Sequence, residues 1–448
     1  MSDFPVRKKW TPSAPLAAIL FSVLTAIGCA TDGMDGSLGE AESGDESLGG
    51  GASEFLDNEI VVRWNQIAFD AAVAFDAFDD FAVNLRGMTM MHLAIHDALN
   101  SIIPVYRQYA LVTLRPLAHP TAAVAQAGHD VLVHVYPDQQ AALDAELAAS
   151  LAEVPGTLRK QLGIKLGRDA AAAIIARRTG DRMDVFGEYV PNDGEPGEYQ
   201  FVPPLEFVFR PAFGDSVPFG LQSGDQLRSP PPPGLTSPEY AVSYDEVQIF
   251  GALESDVRTE DQSHEAQWWF EPAEAGWNRT ANLIAREQDV RLYPAARMFA
   301  LVNLGLIDAY VAVWNDKQFY DAWRPFTAIR AGDTDDNPDT EPDPAFEAFC
   351  LTPPIQEYPS AHAMQSSSAA EMLVAALGRD DVSFETESFT APPERPTRAF
   401  DSLREAAEEA ADSRVMCGIH FRFATDAGLA AGREVAQFIL QRHLRPRW

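Results

Sequence analysis

Between Asn58 and Gly180 the apolar residues return every three or four positions, and no stretch of comparable length alternates inward and outward positions. A period near 3.6 builds helices, whereas a half-buried sheet needs a period of two. Leu85 to Leu99 shows the pattern most clearly, with Met88, Met91, Ala94, Ile95 and Ala98 on one stripe. The segments from Val61 to Ala71, Thr121 to Val135, Gln139 to Ala152 and Gly167 to Ala176 read the same way, and Arg177-Arg178-Thr-Gly180 reads as a helix end. The periodicity therefore predicts an all-α chain.

Residues 181 to 235 break the pattern. Prolines at 191, 196, 203, 204, 211 and 218 lead into Pro230-Pro231-Pro232-Pro233-Gly234, which reads as a long ordered strap. Ser237-Pro238-Glu239 then opens a new helix, with serine as N-cap and proline in the first turn. Helices are expected at Ser237 to Leu253, Asp261 to Trp269, Asn278 to Glu287, Leu292 to Phe319, His362 to Leu377, Phe400 to Val415 and Ala427 to His443. The expected architecture is two packed helical bundles, an N-terminal one with its proline-rich strap over 55–235 and a C-terminal one over 236–448.

The N-terminus reads as a targeting segment. Arg7, Lys8 and Lys9 precede an apolar stretch from Leu16 to Ile27, which is too short to span a bilayer and ends at Gly28-Cys29. Small residues before a cysteine predict a lipoprotein-type signal over 1–28, a lipid anchor at Cys29 and an exported protein of the bacterial envelope. Residues 29–54 are mostly Gly, Ser, Asp and Glu, an acidic tether with little to bury. Of the three cysteines, Cys350 and Cys417 would remain; they do not amount to a disulfide framework, and Cys417 reads as a buried apolar thiol.

A formal charge of -32 repels nucleic acid and anionic membrane surfaces, so neither is an expected partner beyond the anchor itself. Any basic pocket must be local. Lysine occurs only at 8, 9, 160, 165 and 317, so Lys317 is the sole lysine of the second half. It stands in the first of three blocks: Lys317-Gln-Phe-Tyr-Asp-Ala-Trp-Arg324-Pro325, then Pro359-Ser360-Ala361-His362, then Ser413-Arg414-Val-Met-Cys-Gly-Ile-His420. On helices, Lys317 and Arg324 would share one side, and so would Arg414 and His420. Ser360 opening a helix would add a donor beside its N-terminal amides, although the same residue would serve as a plain N-cap. Gly418 would let a backbone approach closely. Together the blocks supply dense positive charge, several donors and two histidines, which suits a tetrahedral oxyanion.

These blocks resemble the superfamily of type 2 phosphatidic acid phosphatases and vanadium-dependent haloperoxidases, whose pattern is Lys, six residues, Arg-Pro; Pro-Ser-Gly-His; and Ser-Arg, five residues, His. Trp323 to Arg330, Glu357-Tyr358-Pro359-Ser360 and Gly418 to Phe423 look like the bacterial soluble haloperoxidase branch, as do Trp64-Asn65, His92, His96-Asp97 and Asn100. The resemblance implies that Lys317, Arg324 and Arg414 neutralise the oxygens of vanadate, with Ser360 and the Ala361 amide as further donors. It implies that His420 bonds the central atom, as ligand to vanadium or as nucleophile on phosphorus, and that His362 is the acid–base group. The implied function is vanadate-dependent oxidation of halide by hydrogen peroxide. The alternative is hydrolysis of a phosphate monoester through a phosphohistidine. Ala361 replaces the glycine of the second block, and Ala424 stands where an aspartate that orients the histidine is common, so that support is missing unless Asp426 or Asp308 takes it over; Asp308 reads equally as a plain structural acid. Ile355 occupies the place five before Ser360 where an aromatic residue or histidine helps hold halide.

Three other features carry weaker signals. His92, His96 and Asp97 have metal-ligand spacing on an otherwise core-like helix, without an evident third ligand. Asp333 to Asp339 looks like a calcium loop but lacks its glycine and its final glutamate, so it reads as a solvated turn. Asn278-Arg279-Thr280 matches a glycosylation sequon by pattern alone.

Overall fold

The computed structural model describes residues 57–74 and 80–447. The leader, the anchor at Cys29 and the tether read over 1–54 lie outside the described residues. The first bundle comprises α1 (Glu59–Ala74), α2 (Phe81–Ile102), α3 (Pro120–Val135), α4 (Gln140–Ala152) and α5 (Leu158–Arg178). After the strap come α6 (Pro238–Phe250), α7 (Glu260–Trp268), α8 (Ala273–Glu287), α9 (Leu292–Tyr320), α10 (Pro325–Arg330), α11 (Ala361–Leu377), α12 (Leu403–Met416) and α13 (Arg422–Arg442). Among the described residues the only sheet is a two-stranded antiparallel hairpin of β1 (Phe384–Glu387) and β2 (Thr397–Phe400), with Phe384 opposite Phe400.

The all-α expectation stands, and two bundles form. In the first, α3 packs against α2 and α5; in the second, α11 packs against α9, α12 and α13. Helix α9 also packs on α2, so it lies at the centre of both. Its length and composition would suit a membrane, but its most apolar stretch is almost wholly buried in protein. Leu301, Leu304, Leu306 and Ile307 are fully enclosed. Truncating Leu306 to alanine would cost about 2–5 kcal/mol through lost burial and a residual cavity.

Buried polar groups on these central helices are used within the protein. Asp308 accepts backbone N–H bonds from Phe219, Gly220 and Leu221 at 2.6, 2.6 and 2.7 Å, which docks the strap onto α9. Asp97 does the same for Tyr109, Ala110 and Leu111, and His92 pairs with Asn65 at 2.7 Å. The metal-like spacing on α2 thus serves loop docking, and no metal-binding group of three or more His, Cys, Asp or Glu occurs among the described residues. In the acidic turn, both oxygens of Asp335 accept from the Thr340 hydroxyl. Asn278 is buried and exchanges amide bonds with Asn303, so the sequon is a packing element.

Three local expectations need correction. The helix expected from Phe400 begins at Leu403, because Thr397–Phe400 pairs with β1 and Ser402 supplies the N-cap, accepting from Glu405 N–H. The helix expected over Gly167 to Ala176 runs from Leu158 to Arg178. Cys417 is buried but is not a free thiol: it forms a disulfide with Cys350. That pairing spans 67 residues of sequence and was not legible as local pattern.

Candidate functional site

Lys317 lies in the last turn of α9, and Asp321 ends that helix in the left-handed conformation at φ 46°. Arg324 is therefore not on the same helix as Lys317, as the spacing suggested; it sits in extended backbone as the N-cap of α10. The two basic groups still converge, because the turn folds Arg324 back over the end of α9. Both are buried and bond to one loop. Lys317 Nζ donates to the carbonyls of Gln356 and Glu357 at 2.6 and 2.8 Å, and Arg324 Nε donates to the Ile355 carbonyl at 2.7 Å.

The same loop leads into α11. Ser360 occupies the N-cap position, yet its hydroxyl makes no capping bond; buried completely, Oγ has no partner among the described residues. Its backbone N–H donates to the Ala424 carbonyl at 2.9 Å, so the alanine that replaces the expected aspartate holds this turn through its main chain. The Ala361 amide is at the first position of the helix, among the groups left free to face an anion. His362 follows, half-buried, with Nε2 2.8 Å from the Glu271 carbonyl. A carbonyl only accepts, so this nitrogen carries the proton.

Arg414 sits near the end of α12, and His420 lies beyond it in the turn before α13, not on one continuous helical face. Gly418 makes that turn at φ +78°, where a side chain would collide with the Gly251 backbone. The close backbone approach expected at Gly418 is thus present, and it comes from within the chain. Arg414 donates from Nε to Ser413 Oγ at 3.0 Å, while its Nη2 is buried with no partner among the described residues.

His420 ties the blocks together. Arg324 Nη1 donates to the Ile419 carbonyl at 2.7 Å and lies 3.1 Å from His420 Nε2. A guanidinium cannot accept, so Nε2 is the lone-pair nitrogen. The proton is then on Nδ1, which donates to Glu357 Oε1 at 3.0 Å; the same oxygen accepts the Phe421 N–H at 3.0 Å. Neither Asp308 nor Asp426 orients His420. Asp308 is committed to the strap, which fits its reading as a structural acid, and Asp426 is exposed; the carboxylate that meets His420 is Glu357. Reading from the sequence missed Glu357 because it is 63 residues from the histidine it meets; the one local signal was an acid next to the second block.

The electrostatics agree with a concentrated basic site. Burial, followed by Arg324, Lys317, Arg414 and His362, pushes the His420 pKa well below its usual value and keeps the ring neutral. Burial and Arg414 lower His362 to about 3. Burial lowers Arg324 to about 10 and Arg414 to about 9, so both remain cations at neutral pH. Burial and neighbouring Arg324 push Lys317 well below the ordinary lysine value, opposed by Glu357. Glu357 itself is raised to about 7 by burial, against the pull of Lys317 and Arg324. An anion among these groups would relieve the mutual repulsion of the basic side chains.

The structure therefore brings together Lys317, Arg324, Arg414, His362 and His420, with Ser360 and Ala361 on the adjoining helix start. The donor set fits a tetrahedral oxyanion: among the described residues Ser360 Oγ and Arg414 Nη2 lack partners, and Lys317 and Arg324 bond to carbonyls instead of carboxylates. By contrast, the polar cavity lined by Asp261, His264, Arg395 and Arg398 has its charges mutually paired.

Comparison with known proteins finds likeness over the same part of the chain. The family model described as the VCPO second helical-bundle domain matches residues 297–447, the part that holds all three blocks. The chain is similar to vanadium chloroperoxidase from Curvularia inaequalis, at 26% identity across 79% of this chain and 75% of that protein. Among solved structures it resembles a bacterial vanadium-dependent iodoperoxidase with a TM-score of 0.74 at 21% identity, covering 87% of this chain and 97% of the other. The holo form of a bacterial vanadium-dependent chloroperoxidase gives a TM-score of 0.65 at 18% identity, covering 81% and 92%.

Proposed function

From the premise that this chain is a relative of the vanadium haloperoxidases, we propose that it is a vanadate-dependent enzyme that oxidises halide with hydrogen peroxide. The observation that carries the reading is the neutral His420, its Nε2 lone pair turned toward Arg324 in a site whose other buried donors lack carboxylate partners. Lys317, Arg324 and Arg414 would neutralise the anion's oxygens, and Ser360 Oγ with the Ala361 amide would complete the donor set. His420 Nε2 would bond the central atom. Bound vanadate would supply a Lewis-acid centre at which peroxide is activated for two-electron oxidation of halide.

His362 would serve as the acid–base group. It is half-buried, and its neutral ring, held by the Glu271 carbonyl, offers Nδ1 to take a proton from incoming peroxide. A bound anion would offset Arg414 and raise the basicity of that ring. The net change is one halide, one peroxide and one proton giving hypohalous acid and water.

We also infer export with lipid attachment at Cys29. The Cys350–Cys417 disulfide supports an oxidising compartment. Labelling with a fatty-acid analogue, lost in Cys29→Ala, would test it.

The functional test is titration of purified protein with orthovanadate while following bromide and iodide oxidation by peroxide. Activity should rise to saturation with vanadate, and His420→Ala should lose at least about 1000-fold, as expected when the atom that bonds the reactive centre is removed. Inactivity with every halide, together with vanadate-inhibited hydrolysis of para-nitrophenyl phosphate, would replace this reading with the phosphatase one.

A further inference from the structure

Glu357 lies outside the three basic blocks, yet it is the residue on which they converge. Its backbone carbonyl is held by Lys317 Nζ, its backbone N–H donates to the Ala322 carbonyl at 2.9 Å, and its carboxyl oxygen Oε1 receives both His420 Nδ1–H and Phe421 N–H. The side chain is fully buried. Four elements are thereby fixed to one residue: the end of α9, the turn before α10, the loop before α11 and the turn before α13.

We propose that Glu357 is the positioning residue that selects the His420 tautomer. By accepting the Nδ1 proton, it leaves Nε2 as a lone pair facing the anion site, and it fixes the plane of the ring. The proposal rests on the reading of the site as one for vanadate, but it concerns the imidazole before any anion arrives. Without an acceptor at Nδ1, a buried neutral imidazole would seek another partner for its proton, and placing that proton on Nε2 would block the bonding nitrogen. The acceptor role belongs to Oε1 whether or not Oε2 carries a proton, so it does not depend on the charge of Glu357. The bond to Phe421 N–H adds a second constraint. It holds the main chain directly after His420, so the ring and its backbone are registered against the same oxygen.

Nitrogen-15 spectra of histidine-labelled protein without vanadate test this directly, with the His420 signal assigned by its absence in His420→Gln. The expected result at neutral pH is a neutral ring protonated at Nδ1. A ring protonated at Nε2, or an imidazolium, overturns the proposal with no variant of Glu357 required. Two variants then separate positioning from packing. Glu357→Met keeps the bulk but removes the acceptor, whereas Glu357→Gln retains an oxygen that can accept both bonds. By calorimetric titration with orthovanadate, the methionine variant should bind about 10–100-fold more weakly, and the glutamine variant should stay within about threefold of wild type. The methionine variant should also lose the pure Nδ1–H signature. A folded Glu357→Met protein with wild-type tautomer and wild-type vanadate affinity would refute the role. Failure of halide oxidation with these spectral and binding results intact would instead count against the proposed reaction.

Discussion

Arg178 and Arg324 are both buried arginines, and their surroundings differ in kind. Arg178, in the first bundle, donates from Nε to Asp181 at 3.0 Å, and Asp181 also pairs with Arg86 at 2.9 Å. Its Nη1 reaches the Pro218 carbonyl, and its guanidinium stacks 3.7 Å from the Phe219 ring centroid. Arg324 has two backbone carbonyls and a neutral imidazole, and among the described residues no carboxylate hydrogen-bonds to it. Lys317 and Arg414 follow Arg324: neither forms an ion pair among the described residues. Carbonyls satisfy N–H geometry without cancelling charge. Arg178 uses its buried charge to dock loops, whereas the surroundings of Arg324 keep a positive excess that an anion can discharge. Burying a charge costs several kcal/mol unless it is compensated, so such an excess is a marker of function more than of stability.

The comparison can be broken most severely at its structural end. Asp181→Ala leaves Arg178 buried without its carboxylate and should lower folding stability by about 3–5 kcal/mol in urea denaturation. Vanadate affinity of the folded protein should be unchanged. At the other end, Arg414→Ala should weaken vanadate binding by about 100-fold, the effect of removing one charged donor from an oxyanion site. Its melting temperature should hold or rise, because the truncation removes a desolvated cation that has no counterion. If Arg414→Ala instead melted much earlier with vanadate affinity intact, the distinction between the two regions would be gone.

A smaller effect sharpens the contrast with a buried acid. Glu274 is enclosed and receives the Tyr310 hydroxyl at 3.1 Å; burial raises its pKa from 4.5 to about 7. A raised value in the folded state means that its stabilising contribution is complete below about 4.5 and is lost as pH climbs through about 7. Glu274→Gln should remove this loss and be more stable than wild type by about 3 kcal/mol at pH 8, with little difference at pH 4. Thermal melts across that range would show it.

Much of the second bundle was legible because its signals are local. The spacing of Lys317 and Arg324, of Ser360 and His362, and of Arg414 and His420 marked residues that the structure brings together, and helical periodicity placed the elements that carry them. The same locality misled where the chain turns. Lys317 and Arg324 were assigned to one helical face, but Asp321 ends α9 and a new helix starts after Arg324. Pairings between distant segments left no periodic trace. Glu357 meets His420, Asp308 meets the strap, and Cys350 meets Cys417 only after the helices have packed. Ser360 shows the opposite limit: its type and position fit an N-cap, and only the structure shows that its hydroxyl makes no capping bond.

The Cys350–Cys417 link joins the segment before the Pro359 turn to the turn that presents His420, closing a loop worth about 4 kcal/mol of unfolded-chain entropy. It has a chemical consequence as well. An enzyme that releases hypohalous acid must survive its own product, and a thiol three positions from the bonding histidine would be an early casualty. Sulfur already in a disulfide offers no thiolate to attack. If the proposed reaction holds, the same covalent bond that braces the His420 turn also removes a nucleophilic thiol from beside the source of the oxidant.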